Sequence, residues 1–388
     1  MLGRHFSRFR AADPRRLHFA AHSHHPWPDA TEAAHAQYWS DSAALADRKW
    51  AERVFADVVP KAQAHVARLI GVPDPAQVAF APNTHEFVTR LYSCLPRGRK
   101  LRVLASGAEF HSFRRQTRRL QEAGDVVLEE IASTPWETFG ERFAAAARRE
   151  AWDLVWLSHV FFDSAFAVHD IVRICNAAPA DAMVVIDGYH AFCALPVDIS
   201  AIATRVFYLA GGYKYAMAGE GACFLAIPPG CALRPVDTGW YASFDKLASG
   251  PGEAVSYGAG GMRFWGATFD PSGLYRFNAA MDMLVATGTT IAAIHAHSRA
   301  LQERFLDGLE RLGLREMNAT HLVPPRSVQA RGNFLVFDVD DAEGAHRRLE
   351  EHHVGIDRRA RRLRFGFGCY HDTNDVDRLL DAVAHALK

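Results

Sequence analysis

No long apolar run, no paired-cysteine motif and no excess of either charge occurs in this chain, and each absence excludes a class of function. The longest apolar stretches fall short of the roughly 20 residues that a membrane span requires. Basic residues occur in Met1–Arg10, but no apolar segment follows them, unlike a secretory signal. Lys+Arg and Asp+Glu balance at 44 each, so net charge points to neither nucleic acid nor an anionic membrane. The six cysteines (Cys94, Cys175, Cys193, Cys223, Cys231, Cys369) are scattered without a CxxC pair. Several lie in apolar runs, which fits buried, reduced thiols better than a disulfide framework. Internal repeats and low-complexity segments are also missing. A soluble, cytoplasmic, globular protein is the expectation.

What is present is an alternation of short apolar runs with helical patterns across 388 residues, enough for two domains. Strands are expected at Val78–Phe80, Arg102–Ala105, Val126–Glu129, Leu154–Leu157, Met183–Ile186, Val206–Ala210 and Cys223–Ile227. Helices are expected from Asp29, as a cap, to about Phe55, and at Pro60–Ile70, Ser112–Ala123 and Trp136–Glu150. Strands that alternate with crossover helices give an α/β fold with a mainly parallel sheet between helices. After a Gly-rich aromatic segment (Trp240 to Phe277) and long helical patterns, a smaller C-terminal α+β domain follows. Its pattern is strand Asn333–Val339, helix Ala342–His353, strand Arg362–Phe367 and helix Asn374–Leu387. The expected division is a large domain over 1–270 and a small one over 271–388, with segment 1–58 packing on the small lobe. Arginines cluster at Arg114–Arg115 with Arg118–Arg119 and at Arg358–Arg359 with Arg361–Arg362; such clusters read as solvated faces.

Two strand ends carry chemistry. The run Val184-Val185-Ile186 ends in Asp187, with His190 three residues on. The run Val206–Ala210 ends in Gly211-Gly212-Tyr213-Lys214-Tyr215. In such sheets, ligands bind beyond the carboxyl ends of the strands. A lysine paired with an upstream acid is what pyridoxal 5′-phosphate (PLP) chemistry needs. The lysine amine binds the cofactor aldehyde, and the acid keeps the pyridine nitrogen protonated so that the ring draws off electrons. Glycines beside Lys214 permit close approach of a bulky ligand. His190 is expected near the cofactor ring, orienting Asp187 or the ring's O3′ edge, unless it is a packed core histidine.

Asp187-x-x-His190 followed by Tyr213-Lys214-Tyr215-x-x-Ala218-Gly219-x-Gly221 resembles the class V branch of the fold-type I PLP enzymes, and within it kynureninase most closely. Phe19-Ala20-Ala21-His22-Ser23 resembles that family's opening loop. Ile356–Arg359 and Leu363-Arg364-Phe365, with Tyr370 and Asp375-Val376, resemble its C-terminal signature. The resemblance implies PLP as cofactor and a homodimer with shared active sites. It further implies Arg364 on the substrate α-carboxylate, a role for which guanidinium alone offers two parallel donors. Tyr213 and Trp240 would reach the cofactor phosphate, and Thr268 would reach that of the neighbouring subunit. A ring from Phe110, or alternatively His111, would stack on the cofactor. Asn83 and Thr84 open a helix, where a phosphate is readily held, although a plain N-cap role is the alternative.

The activity implied is hydrolysis of the Cβ–Cγ bond of L-kynurenine or a related β-acyl amino acid, releasing alanine and an aromatic acid. Lys214, Asp187 and Tyr213 would be catalytic. A class V aminotransferase, lyase or epimerase is the alternative. One departure bears on substrate: where kynureninases commonly read Asn/His-Ser-Leu-Gly, this chain has His22-Ser23-His24-His25-Pro26-Trp27. His22 is therefore expected toward the substrate side chain. The clustered histidines lack a second ligand cluster at zinc spacing, so no metal is expected.

Overall fold

The computed structural model describes residues 1–249 and 254–388; residues 250–253 of the glycine-rich segment lie outside the described residues. In chain order the strands are β1 (Leu17–His18), β2 (Val78–Ala81), β3 (Leu101–Ser106), β4 (Val126–Ile131), β5 (Leu154–Ser158) and β6 (Met183–Asp187). There follow β7 (Val206–Ala210), β8 (Cys223–Ala226), β9 (Phe334–Asp338), β10 (Val354–Gly355), β11 (Asp357–Arg359) and β12 (Arg362–Gly366). Seven of them form one sheet in the order β2-β8-β7-β6-β5-β3-β4. Every pairing from β7 through β4 is parallel, and β8 runs antiparallel to both its neighbours. All residues of β5, β6 and β7 are buried. That explains their continuous apolar runs, because a strand covered by helices on both faces has no polar side to alternate.

Register positions the chemistry. Ser158 on β5 lies opposite Asp187 on β6, and Asp187 lies opposite Leu209 on β7. The three strands therefore end at one level, and the loops after them emerge side by side. Helices Thr84–Ser93, His111–Glu122, Phe139–Arg149 and Ile171–Ala177 provide the connections; the last of these is too short and mixed in pattern to show in the sequence.

The C-terminal lobe holds a three-stranded antiparallel sheet, β11-β12-β9, with helices Ala342–Glu351 and Thr373–Leu387. β1 pairs in parallel with β10, and Gly366 N–H donates to Phe19 O at 2.7 Å. These bonds draw the N-terminus onto this lobe, and Leu17 and Phe19 join its apolar cluster. Helix Ala30–Leu45 instead packs on helix Ser272–Ala286, where Tyr275 O–H donates to Asp41 at 2.8 Å. Leu274, Leu284 and Ile294 belong to the large cluster, whereas Leu301 joins the small one with Leu17 and Phe19. We therefore propose a lobe boundary within helix Ile291–Leu312 rather than near residue 270.

Two local expectations change. The helix expected to run to Phe55 breaks at Ala46, whose φ of 51° is left-handed, and resumes as a wide π turn over Trp50–Val58. Asp29 does not cap the helix that follows it. Its carboxylate accepts from Ser7 N–H at 2.9 Å and Arg8 N–H at 3.1 Å, serving the start of the preceding helix Ser7–Ala12. A carboxylate is favourable at any nearby helix start, whichever helix supplies it.

Behind β6, Gly188 lies against the phenol of fully buried Tyr208, which a Cβ at that position would overlap. Gly188→Ala is thus expected to destabilise the protein by about 2 kcal/mol through overpacking, read as a lower urea midpoint at unchanged slope. A loss below about 0.5 kcal/mol would show that this layer repacks freely.

Candidate active site

β6 and β7 deliver Asp187 and the Lys214 loop to adjacent positions, tied by Gly188 N–H donating to Leu209 O at 2.8 Å. Lys214 is 4% exposed. Its Nζ lies 2.8 Å from His190 Nε2 and 4.6, 5.1 and 5.6 Å from the ring centres of Tyr189, Phe110 and Tyr213. Among the described residues no carboxylate forms an ion pair with it. Burial disfavours the ammonium form and outweighs the attraction of Asp187, with Arg364 adding repulsion. The lysine pKa falls from 10.5 to about 7. His190 is held well below its usual range by burial and by the charges of Lys214 and Arg364, so its ring is neutral.

Asp187 accepts one bond, from Tyr189 N–H at 2.9 Å. Burial raises its pKa, while that N–H and Lys214 pull it down. A second buried acid lies near it. Glu109, just past the end of β3, accepts from the hydroxyls of Ser106 and Ser158 and from Ser158 N–H at 3.0 Å. Burial raises it to about 7, despite those bonds, and Asp187 contributes repulsion. Glu109 escaped the sequence reading. Its only signal was its place at a strand end, directly before Phe110.

Arg364 lies on β12 opposite Asp357 on β11. Its guanidinium pairs with the Asp357 carboxylate, donates to Phe162 O at 2.6 Å and lies 5.9 Å from the Phe162 ring. Burial lowers it to about 10, which leaves it charged. His22 is completely buried, stacked on Phe334 at 4.7 Å, with Nε2 3.9 Å from Asp357. Both His22 nitrogens and Arg364 Nε lack hydrogen-bond partners among the described residues. Such orphaned buried groups are uncommon, and here both side chains lie beside Asp357. His22, Arg364, His190 and Lys214 feel one another's charge, so the structure brings these expected residues together. The remaining loop histidines diverge, His24 stacking on Tyr213 and His25 packing beside Tyr370. Phe162 and Asp357 complete the pocket; Phe162, in an irregular loop, gave no sequence signal.

Other expected residues fall differently. Phe110 rather than His111 is the ring beside Lys214, since His111 begins helix His111–Glu122 and is exposed. Asn83 caps helix Thr84–Ser93, accepting from Glu86 N–H at 3.1 Å, and Thr84 is buried at the first turn. Tyr213 is half-buried, its hydroxyl raised to about 12 by burial. Trp240 is 45% exposed and donates to exposed Thr268 at 3.2 Å. The two sit together on the surface, and among the described residues no hydrogen bond or ring contact joins either to Lys214.

The donor set suits PLP. A buried amine whose pKa is lowered to about 7 offers a neutral fraction near neutral pH for an aldehyde, and a dry carboxylate favours a protonated partner. Lys214, Asp187, His190, Phe110 and Tyr213 would hold it, with Thr84 at a helix N-terminus. Comparison with known proteins agrees. Over 210 residues the chain is 30% identical to isopenicillin N epimerase of Streptomyces clavuligerus; the match spans half of this chain and 52% of that protein. The cysteine desulfurase of Thermococcus onnurineus NA1 superposes with a TM-score of 0.79 at 17% identity, covering 96% of this chain and 95% of that one. A lysine-to-alanine mutant of C-DES, with glycine covalently linked to its PLP cofactor, superposes at 0.80 and 18% identity over 99% of both chains. At such identities these two share the fold alone. The model of the aminotransferase class-V family matches residues 20–379. This chain therefore belongs to the aminotransferase class-V family, with the α/β fold of the fold-type I PLP enzymes and pyridoxal 5′-phosphate as its cofactor.

Proposed function

We propose that this chain is a PLP-dependent enzyme acting at Cα of an amino acid, with Lys214 moving the Cα proton and Arg364 holding the α-carboxylate. The observation that carries this reading is the Lys214 amine, buried, 2.8 Å from a neutral imidazole and unpaired with any carboxylate among the described residues. When bound, PLP supplies an aldehyde that takes up an amine and a ring that withdraws electrons from the bonds at Cα. Near neutral pH Lys214 divides between amine and ammonium, so it can accept a proton and return it. His190 orients the Lys214 amine, and Asp187 favours protonation of the group it faces. Arg364 can fork onto a carboxylate when Asp357 gives up its share of the guanidinium. Phe110, Phe162 and Tyr189 keep water away from these charges.

The bond that breaks next is the narrower question. The kynureninase resemblance reads it as Cβ–Cγ hydrolysis of L-kynurenine, and the comparisons lend that reading no support. The epimerase relative favours epimerisation, with elimination or transamination in the same class. Persulfide chemistry on a protein thiol has the least support. Cys369, beyond Arg364, is buried and raised to about 12, and burial raises every other cysteine. A homodimer is supported by the exposed Trp240–Thr268 pair, whose counterparts contact a phosphate in the resembled family. The unpaired thiols fit a cytoplasmic setting.

Borohydride reduction of the holoenzyme followed by peptide mapping is expected to place the pyridoxyl group on Lys214, and Lys214→Ala is expected to lower turnover by about 10³-fold or more. A pyridoxyl group on any other lysine would contradict the assignment. Incubation in D₂O is expected to yield amino acid deuterated at Cα; no exchange with any of the twenty would sink the proton-transfer reading. In the same experiment L-kynurenine and 3-hydroxykynurenine decide the narrower question, since finding neither alanine nor an anthranilate removes the hydrolase. Because burial lowers the lysine pKa, its nucleophilic amine is fully present above about pH 7 and is lost as pH falls through it. The rate of PLP capture by apoprotein is thus expected to rise with pH and reach half its plateau near 7. A half-rise above pH 9 would show an ordinary exposed lysine.

A further inference from the structure

Asp357 occupies the edge of the Arg364 guanidinium that a substrate carboxylate needs. Nη1 donates to Phe162 O at 2.6 Å and anchors the group. Nε and Nη2 lie along one side of it and offer two parallel donors to a carboxylate. Nη2 holds Oδ2 of Asp357, while the buried Nε has no partner among the described residues. A second carboxylate arriving on this edge would meet a like charge in a pocket where charge is poorly screened. Sharing Nη2 between the two is therefore unfavourable.

Asp357 has a second place to go. The same Oδ2 lies 3.9 Å from Nε2 of His22, a completely buried side chain with neither ring nitrogen partnered among the described residues. The His22 ring is wedged in place. It stacks on Phe334 at 4.7 Å, and a Cβ added at Gly366 would lie 2.3 Å from its Nδ1. Burial, chiefly, and the charge of Arg364 hold its pKa well below the usual range, so the ring is neutral and carries one N–H. With Nδ1 unpartnered, that proton is free to sit on Nε2 and face Asp357. Closing 3.9 Å to an ordinary hydrogen bond takes a shift of about 1 Å. The other oxygen, Oδ1, is 3.5 Å from Nη1 of Arg359 on the same strand, a contact about which the carboxylate can pivot. Unmet nitrogens in a dry pocket cost stability in the free protein, and a partner that arrives only on binding accounts for them.

We propose that Asp357 guards Arg364 in the free enzyme and passes to His22 when a substrate α-carboxylate takes the Nε–Nη2 edge. The proposal rests on the reading of Arg364 as the α-carboxylate site and adds the exchange that opens it. Asp357 and His22 are positioning residues that act through the arginine. Asp357 satisfies the guanidinium until a ligand brings a carboxylate able to displace it, and His22 eases the displacement by bonding the released oxygen.

The test is titration of the holoenzyme, followed by cofactor absorbance, with L-alanine, L-phenylalanine and L-glutamate, each against its α-carboxamide. At least one acid is expected to bind the native enzyme, and more tightly than its amide. Asp357→Asn keeps the shape of the guard without its charge and is expected to tighten that acid about tenfold relative to the amide. His22→Phe keeps a ring against Phe334 but loses both nitrogens, and is expected to weaken the acid about tenfold relative to the amide. In the Asp357→Asn background His22→Phe is expected to have no further effect, because no charged guard remains to be received. An equal loss in both backgrounds, or for acid and amide alike, shows that His22 only packs and overturns the proposal. Unchanged or weaker acid binding by Asp357→Asn overturns it too, even where His22→Phe does not fold. Those outcomes leave the native preference for acid over amide, and with it the Arg364 reading, intact. Binding of none of the three acids, or equal native binding of acid and amide, overturns both.

Discussion

A lysine amine held in a dry aromatic box, with no carboxylate counter-ion among the described residues, is the constraint on which the rest of this site depends. An ammonium ion buried among Phe110, Tyr189 and Tyr213 is costly, so the fold lowers the Lys214 pKa to about 7. Asp187 is near enough to be felt but not near enough to form an ion pair. Had the two closed into a salt bridge, the amine would be locked as a cation and useless as a nucleophile. Parallel pairing of β6 with β7 sets that separation, because it lets the two loops leave the sheet side by side.

A second constraint acts at the substrate end. Arg364 and Asp357 are direct cross-strand partners, so each satisfies the other in a pocket where an unpaired charge would be expensive. The pair also keeps the arginine in place and extended toward Phe162. His22 reaches the same pocket only because β1 pairs with β10 and carries the N-terminal loop across to the small lobe. Residues more than 300 positions apart thus share one wall.

The fold itself does not choose the reaction. Desulfurases and a C–S lyase share this architecture at under 25% identity, and the epimerase match covers half of the chain. What separates such enzymes lies at the rim and in the loops. There this chain departs from the kynureninase pattern at His22–Trp27.

The sequence alone determined the sheet strands, the acid–lysine pair at their ends and the α+β tail. Each of these is written in local apolar periodicity or in residues only a few positions apart. It also pointed to Arg364 and His22, through resemblance rather than spacing. Only the tertiary structure decided that Glu109 lies buried beside Asp187, that Phe162 and Asp357 complete the substrate wall, and that Asp29 serves an earlier helix. It alone showed Trp240 and Thr268 meeting on the surface. The reason is the same in each case: burial and charge balance are properties of contacts between segments distant in sequence, and no window along the chain contains both partners.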